Sequence, residues 1–343
     1  MPSRPYRDRD RPPNLSAANY VSGRVYHDES VFQDELDRVL GKVWHFACHE
    51  SEVPEPGGRR SVQHALRPLT VMRRADGGVA AMAGVRPIRT ETKHGMVFVN
   101  LDDGAVSLDA FLGDSLEIFD QVFGDPAVEY EVFHFHRGTV NANWKAWQET
   151  IVDLYHEFMH VVLRTTQMTA APMAARDLRV YPNGHLAIGG LKADYNNYKA
   201  YGARDDSAAF PGLTVNDARF TPLFPDTTII TRGTVMRIDT VTPLGPHLTI
   251  VESRGLGIRG ESAADRRMRI RHHNDYWGPF GRNVPEDAFA AEACEKAFGN
   301  GAARYQIIAR DEGGQGQDDL MLRAYYKAWS DMTGRPAHSP CNS

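Results

Sequence analysis

The sequence predicts an α+β protein in which a β-rich N-terminal unit precedes a larger part whose helices cover an antiparallel sheet. Three observations carry this. Short apolar runs separated by Gly/Pro turns crowd residues 44–101, longer strand-like runs recur after residue 128, and segments with apolar residues at helical spacing lie around both. With 343 residues, 42% of them hydrophobic, the chain can bury the core of one large or two ordinary domains.

Taken in order, residues 1–43 hold a tail and a helix. MPSRPYRDRDRPP is rich in Pro, Arg and Asp and reads as solvated chain, whereas Ser30 to Trp44 sets Val31, Leu36, Val39, Leu40 and Val43 near helical spacing with Ser30 as N-cap. Residues 44–104 form a small all-β unit, in which LTVMRR, GVAAMAG and GMVFVNLD are strands punctuated by PEPGG and ADGG. Residues 105–343 make the larger unit. It opens with a helical connector over 105–126, ended by Gly124 and Pro126, and a strand, EYEVFHFHRGTV. A long helix over about Asn143 to Thr165 follows, then strands at 186–191, 228–242 and 247–258 with PLGP as the turn at 243–246, and helices near 285–298 and 317–333. No internal repeat occurs.

Charge and cysteine content exclude several classes. Lys and Arg number 39 against 44 Asp and Glu, for a net charge of −5 with no long basic block, so no nucleic-acid footprint exists. No apolar run reaches the roughly 18 residues that span a bilayer and no signal-peptide core follows Met1, which predicts a cytoplasmic protein without a membrane partner. The cysteines, Cys48, Cys294 and Cys341, are dispersed and odd in number, so they build neither a disulfide framework nor an all-Cys metal site.

On the long helix, Glu149, Asp153, His156 and His160 step by four, three and four and predict one ionisable column, opposite Trp144, Trp147, Ile151, Leu154, Phe158 and Val162. A solvated polar face would explain such a column, but this one contains no Lys or Arg. Two imidazoles one turn apart can share a metal ion, with a carboxylate from Glu286, Asp287 or Glu292 as third ligand. Two His and one carboxylate is the facial triad of non-haem Fe(II) oxygenases; HEFMH also satisfies the HExxH pattern of zinc hydrolases, which leaves that reading open.

The combination NWK…E…D-x-Y-H…H resembles the large (α) subunit of Rieske non-haem iron ring-hydroxylating oxygenases. The likeness extends over most of the chain, through NYVSGRVYHDESVFQDELDRVLGKVWHFACHESEVPEPGG, GMVFVNLDD, FPDTTIITRG, VTPLGPHLTIVES, YWGPFGRNVPEDAFAAE and LRAYYKAWSDMTG. It implies a truncated Rieske-like β domain followed by a helix-grip (START/Bet v 1-like) catalytic domain. It makes His156, His160 and Asp287 the ligands of a mononuclear Fe(II) and gives Asp153 the role of the acid that links this iron to the neighbouring subunit. One departure is Thr150, where the family commonly has Asn. The larger one is the lack of the C-x-H and C-x-x-H elements that hold the family's [2Fe–2S] cluster: Cys48 is followed directly by His49, and no Cys lies between 49 and 293. Cys48 itself reads as a buried thiol.

The resemblance therefore implies an oxygenase subunit that hydroxylates an aromatic or other small organic substrate with O2. Its electrons would come from the cluster of a paralogous α subunit or from a ferredoxin, within a trimer or hexamer. The alternative is a non-catalytic structural subunit of such a hetero-oligomer, favoured by the lost cluster motif and opposed by the retained ligands. Phe210, Phe220, Leu223 and Phe224 either line a substrate pocket or pack in the core.

Overall fold

The computed structural model describes residues 12–168, 175–195, 206–308 and 319–339. Most of the predicted N-terminal tail and the first residues of the predicted last helix lie outside these ranges. Strand β1 (Tyr20–Ser22) pairs antiparallel with β15 (Tyr305–Ile307), which ties the start of the chain to its end. Helix α1 (Arg24–His27) precedes α2 (Glu29–Glu35), which continues as a π turn over Leu36–Leu40. The N-cap of α2 is Asp28 rather than Ser30: its Oδ1 accepts from the Ser30 N–H at 2.9 Å, since a carboxylate two residues back reaches an otherwise unpaired donor.

The first large sheet comprises β2 (His45–His49), β3 (Arg59–Val62), β4 (Leu69–Arg73), β5 (Val79–Ala83), β6 (Arg86–Lys93) and β7 (Met96–Asn100), in the order β2-β7-β6-β5-β4-β3. Strands β5 and β6 are joined by the two residues Gly84 and Val85, with Ala83 paired to Arg86; the positive φ of Gly84 (59°) suits this tight turn. Helices α3 (Leu108–Leu112) and α4 (Asp120–Phe123) form the connector.

The second sheet comprises β8 (Tyr130–Val140), β9 (Leu178–Val180), β10 (Leu186–Lys192), β11 (Asp217–Leu223), β12 (Thr227–Arg232), β13 (Met236–Gly245) and β14 (Leu248–Ile258). Its order is β8-β14-β13-β12-β11-β10-β9, antiparallel throughout. The run 228–242 is thus two strands. The chain reverses at Gly233, which has φ 59° and where a Cβ would lie 2.5 Å from the Val215 carbonyl oxygen. The next reversal lies at Pro246 and His247, because Pro243 and Gly245 still belong to the β13–β14 ladder.

Helices α5 (Trp144–Val152), α6 (Val161–Thr165), α7 (Ala263–Trp277), α8 (Val284–Gly299) and α9 (Leu320–Thr333) complete the described elements. The predicted helix over 143–165 is α5, a 3-10 turn over His156–Met159 and α6, interrupted at Asp153 and His160. Phe158, assigned to the apolar side of a continuous helix, is 57% exposed as a result. Helix α7 was not expected, because AADRRMRIRHHNDYW has no apolar stripe; it buries Arg269, His272, His273, Tyr276 and Trp277 instead. Ser262 caps its first turn by accepting from the Asp265 N–H.

Helix α5 is held between α2 and α9 by one buried carboxylate. Glu35 accepts from the indoles of Trp144 (2.8 Å) and Trp329 (2.7 Å) and pairs with Lys145 Nζ at 2.6 Å. Burial lowers the pKa of Lys145, which Glu35 opposes. No helix among the described residues is long and apolar enough to cross a membrane.

Candidate metal centre

The break after α5 places the site. Asp153 has extended backbone (φ −78°, ψ 117°); its Oδ1 accepts from the Tyr155 N–H at 2.6 Å, and the Leu154 N–H donates to Asp319 Oδ1 at 3.2 Å. Side chains thus satisfy donors that would otherwise have continued the helix. The 3-10 turn that follows points His156 and His160 toward the first turn of α8, where Glu286 and Asp287 complement the helix N-terminus.

Three ligand atoms converge there. His160 Nε2 lies 3.1 Å and His156 Nε2 3.5 Å from Asp287 Oδ1, and the two Nε2 atoms are 3.3 Å apart. Each ring is oriented from behind, His156 Nδ1 by Asp153 Oδ2 at 3.2 Å and His160 Nδ1 by Glu286 Oε2 at 2.8 Å. Asp287 Oδ1 is buried and takes no hydrogen bond of good geometry. Donors about 2.1 Å from one ion and about 90° apart around it would stand about 3 Å from each other, which is the spacing found. The residues therefore fit a metal ion with two nitrogens and one oxygen on one side.

Electrostatics agree. Burial works against charge on the imidazoles, yet Asp153 and Asp287 raise His156 to about 10, and Asp287 with Glu286 raises His160. Burial also works against the Asp287 carboxylate, but His156 and His160 hold it down at about 2. Three carboxylates around two imidazoles favour positive charge at this point, as protons or as a cation.

Of the residues singled out from the sequence, Asp153, His156, His160, Glu286 and Asp287 come together. Glu149 does not belong to the group: it is buried between Tyr26 and Tyr326, with the Tyr26 hydroxyl 2.6 Å away. Glu292 accepts instead from Asn141 at 3.0 Å. Two further trios, His134/His136/His273 and His27/His247/Glu295, also cluster among the described residues. The His156 trio differs in that each imidazole is fixed by an additional carboxylate.

A cavity of ≈ 50 Å³ opens beside the trio, with walls that include Leu154, Ile188, Phe220, Ile230 and Trp277. Phe220 thus faces it, while Phe210, Leu223 and Phe224 pack in the cores. A roomier surface groove of ≈ 520 Å³ runs along His49, Arg73 and Phe123, away from the trio. Sequence reasoning missed Arg232 and Arg237, which also reach the cavity. The signal for Arg232 was an arginine closing the otherwise uncharged run TTIITR.

No protein-family model matches the chain. Among curated proteins it is 38% identical to the α subunit of 2-aminobenzenesulfonate 2,3-dioxygenase from Alcaligenes sp., over 384 aligned positions covering 96% of this chain and 97% of the relative. It is 29% identical to the hydroxylase α subunit of methanesulfonate monooxygenase from Methylosulfonomonas methylovora, covering 99% and 97%. Among solved structures, naphthalene 1,2-dioxygenase with indole bound superposes with a TM-score of 0.74 at 18% identity, covering 93% of each chain. A quaternary ammonium Rieske monooxygenase gives 0.69 at 16%, covering 93% and 96%. These likenesses show the fold, and the relatives named are dioxygenases and monooxygenases, hence oxidoreductases that use O2. With such a relative matched over nearly its whole length, the chain belongs to the α-subunit family of the Rieske non-haem iron oxygenases.

Proposed function

We propose that this chain is the hydroxylating subunit of a Rieske-type oxygenase, with one Fe(II) held by His156, His160 and Asp287. The observation that carries the reading is the convergence of these three side chains, each imidazole held at its second nitrogen by a carboxylate. Bound iron would supply the one-electron chemistry that O2 requires. The chain's own part is to present neutral Nε2 atoms, to fix both rings through Asp153 and Glu286, and to keep water from the apolar walls beside them.

The electrons, in this reading, come from another chain. No C-x-H…C-x-x-H frame is present, Cys48 is fully buried, and burial pushes its thiol up to about 12, the character of a packed side chain rather than a thiolate ligand. The two-residue β5–β6 turn leaves no room for a ligand loop there, and an alignment of 384 positions against 343 residues means the dioxygenase relative carries segments without counterpart here. Residues 44–104 are thus a Rieske-like unit without ligands, and residues 105–343 the catalytic unit. The donor is a cluster-bearing paralogous α subunit or a ferredoxin, and Asp153 faces it in a trimeric or hexameric cytoplasmic assembly.

Two of the relatives are named for sulfonates, and we assign this chain a small sulfonated organic substrate. A purely structural role is the competing reading, supported by the missing cluster ligands. Product formation by the iron-loaded chain in the presence of an external donor, lost in His160→Ala, tests between them; iron-loaded protein that consumes no substrate with any donor supports the structural role.

A further inference from the structure

Among the described residues, every buried arginine but one is paired with a carboxylate. Arg237 pairs with Asp239 at 2.7 Å, Arg254 with Glu52 and Glu252 at 2.9 and 3.0 Å, Arg269 with Glu261 at 2.7 Å, and Arg176 with Glu157. Arg232, at the end of β12, is 2% exposed, and no carboxylate among the described residues lies within ion-pair distance of it. Its Nη1 meets the sulfur of Met168, its Nε is buried without a partner, and its plane rests over the rings of Phe220 (4.5 Å) and Tyr276 (5.3 Å). An arginine side chain is a fixed positive charge. A buried charge without its partner is costly, and such a cost is offset when a ligand brings the counterion.

Arg232 lines the same cavity as His156, His160 and Asp287. We propose that Arg232 is the anion anchor of this cavity: its guanidinium takes two oxygens of an organic sulfonate or carboxylate and turns the substrate's carbon skeleton toward the His156/His160/Asp287 trio. The fork of N–H donors matches such oxyanions, while Phe220 and Tyr276 hold the plane in place. Glu157 faces the same space and feels the charge of Arg232, but it is paired with Arg176 and lies beyond ion-pair distance of Arg232. At ≈ 50 Å³ the cavity admits a compact head group. The orientation toward the trio rests on the oxygenase reading; the anion binding does not.

The test uses the purified full-length protein, with its metal content measured, and compares wild type with Arg232→Met and Arg232→Lys. Methanesulfonate, benzenesulfonate and acetate are titrated by calorimetry, with dimethyl sulfone as the neutral isostere. Wild type should bind at least one sulfonate or acetate and discriminate against the sulfone. Arg232→Met should weaken anion binding about 10- to 100-fold, the loss expected for charge-assisted hydrogen bonds, and Arg232→Lys should fall between. The pattern across the three anions shows whether sulfonate or carboxylate is the preferred head group. Without ligand, Arg232→Met should melt at or above the wild-type temperature, because it removes an uncompensated buried charge while keeping an apolar body on Phe220. The proposal is overturned if wild type binds no anion or takes the sulfone equally well, if Arg232→Met binds anions as wild type does, or if that variant melts lower or fails to fold. Anion binding in a protein that holds no iron would leave Arg232 its role and remove the oxygenase reading.

Discussion

Replacing Glu149 by glutamine should change how stability depends on pH. Glu149 is buried against Tyr26 and Tyr326, whose hydroxyls point at its Oε1. Burial raises it from the ordinary 4.5 to about 7, a shift these hydrogen bonds only moderate. A folded chain that keeps a proton the unfolded chain has released is favoured at low pH. The contribution is fully present below 4.5 and is lost as pH rises through about 7. At about 1.36 kcal/mol per unit the full loss is about 3 kcal/mol, of which about 2 kcal/mol falls between about pH 5.5 and about pH 8.5. Glutamine imitates the protonated acid at every pH and can still accept from both tyrosines. Urea unfolding of metal-free wild type and Glu149→Gln at those two pH values should therefore show the variant gaining about 2 kcal/mol on wild type at the higher pH. A difference that does not change with pH would refute the argument, whatever its size.

Three further outcomes follow from the geometry. His160→Ala and Asp287→Ala should each lose most bound iron while far-ultraviolet circular dichroism stays native, and Glu286→Gln should weaken iron about 10- to 100-fold by releasing the ring of His160; full iron occupancy in Asp287→Ala would mean the third ligand is another group. Asp153→Asn should weaken iron to an extent similar to Glu286→Gln by loosening the ring of His156 and, once reloaded with iron, should in addition slow donor-dependent turnover measured against its iron content, since this acid faces the proposed donor. Glu35→Ala should destabilise the fold by about 3–5 kcal/mol in denaturant melts, because it strands Lys145 in a fully buried site together with two indole N–H groups.

Which parts were readable from sequence has physical reasons. The β-rich unit showed because its strands are short, apolar and bounded by turn residues, and α8 and α9 because they carry good helix formers. Asp153, His156 and His160 lie together although the helix expected to carry them is interrupted. Spacing reports which residues are close, while the interruption at Asp153 depends on Asp319, a residue far along the chain that pairs with the freed Leu154 N–H. Glu149 shares the same periodicity, yet it turns to Tyr26 and Tyr326 because those hydroxyls lie across the core. Helix α7 was invisible because its buried face is made of Arg, His, Tyr and Trp rather than aliphatic residues, with Arg269 paired to Glu261. Arg232 lay inside the single run expected over 228–242; only the folded sheet shows that it lines the cavity with no carboxylate among the described residues within ion-pair distance.

The central claim is an iron site in this chain that is served by electrons from outside it. Iron and acid-labile sulfide determined on the same anaerobically reconstituted sample, followed by single-turnover assay with and without a separate cluster-bearing donor, test it most directly. The expected result is about one iron per chain, no sulfide, and hydroxylated product only when the donor is added. Stoichiometric sulfide, or product from the isolated chain without any donor, would contradict it.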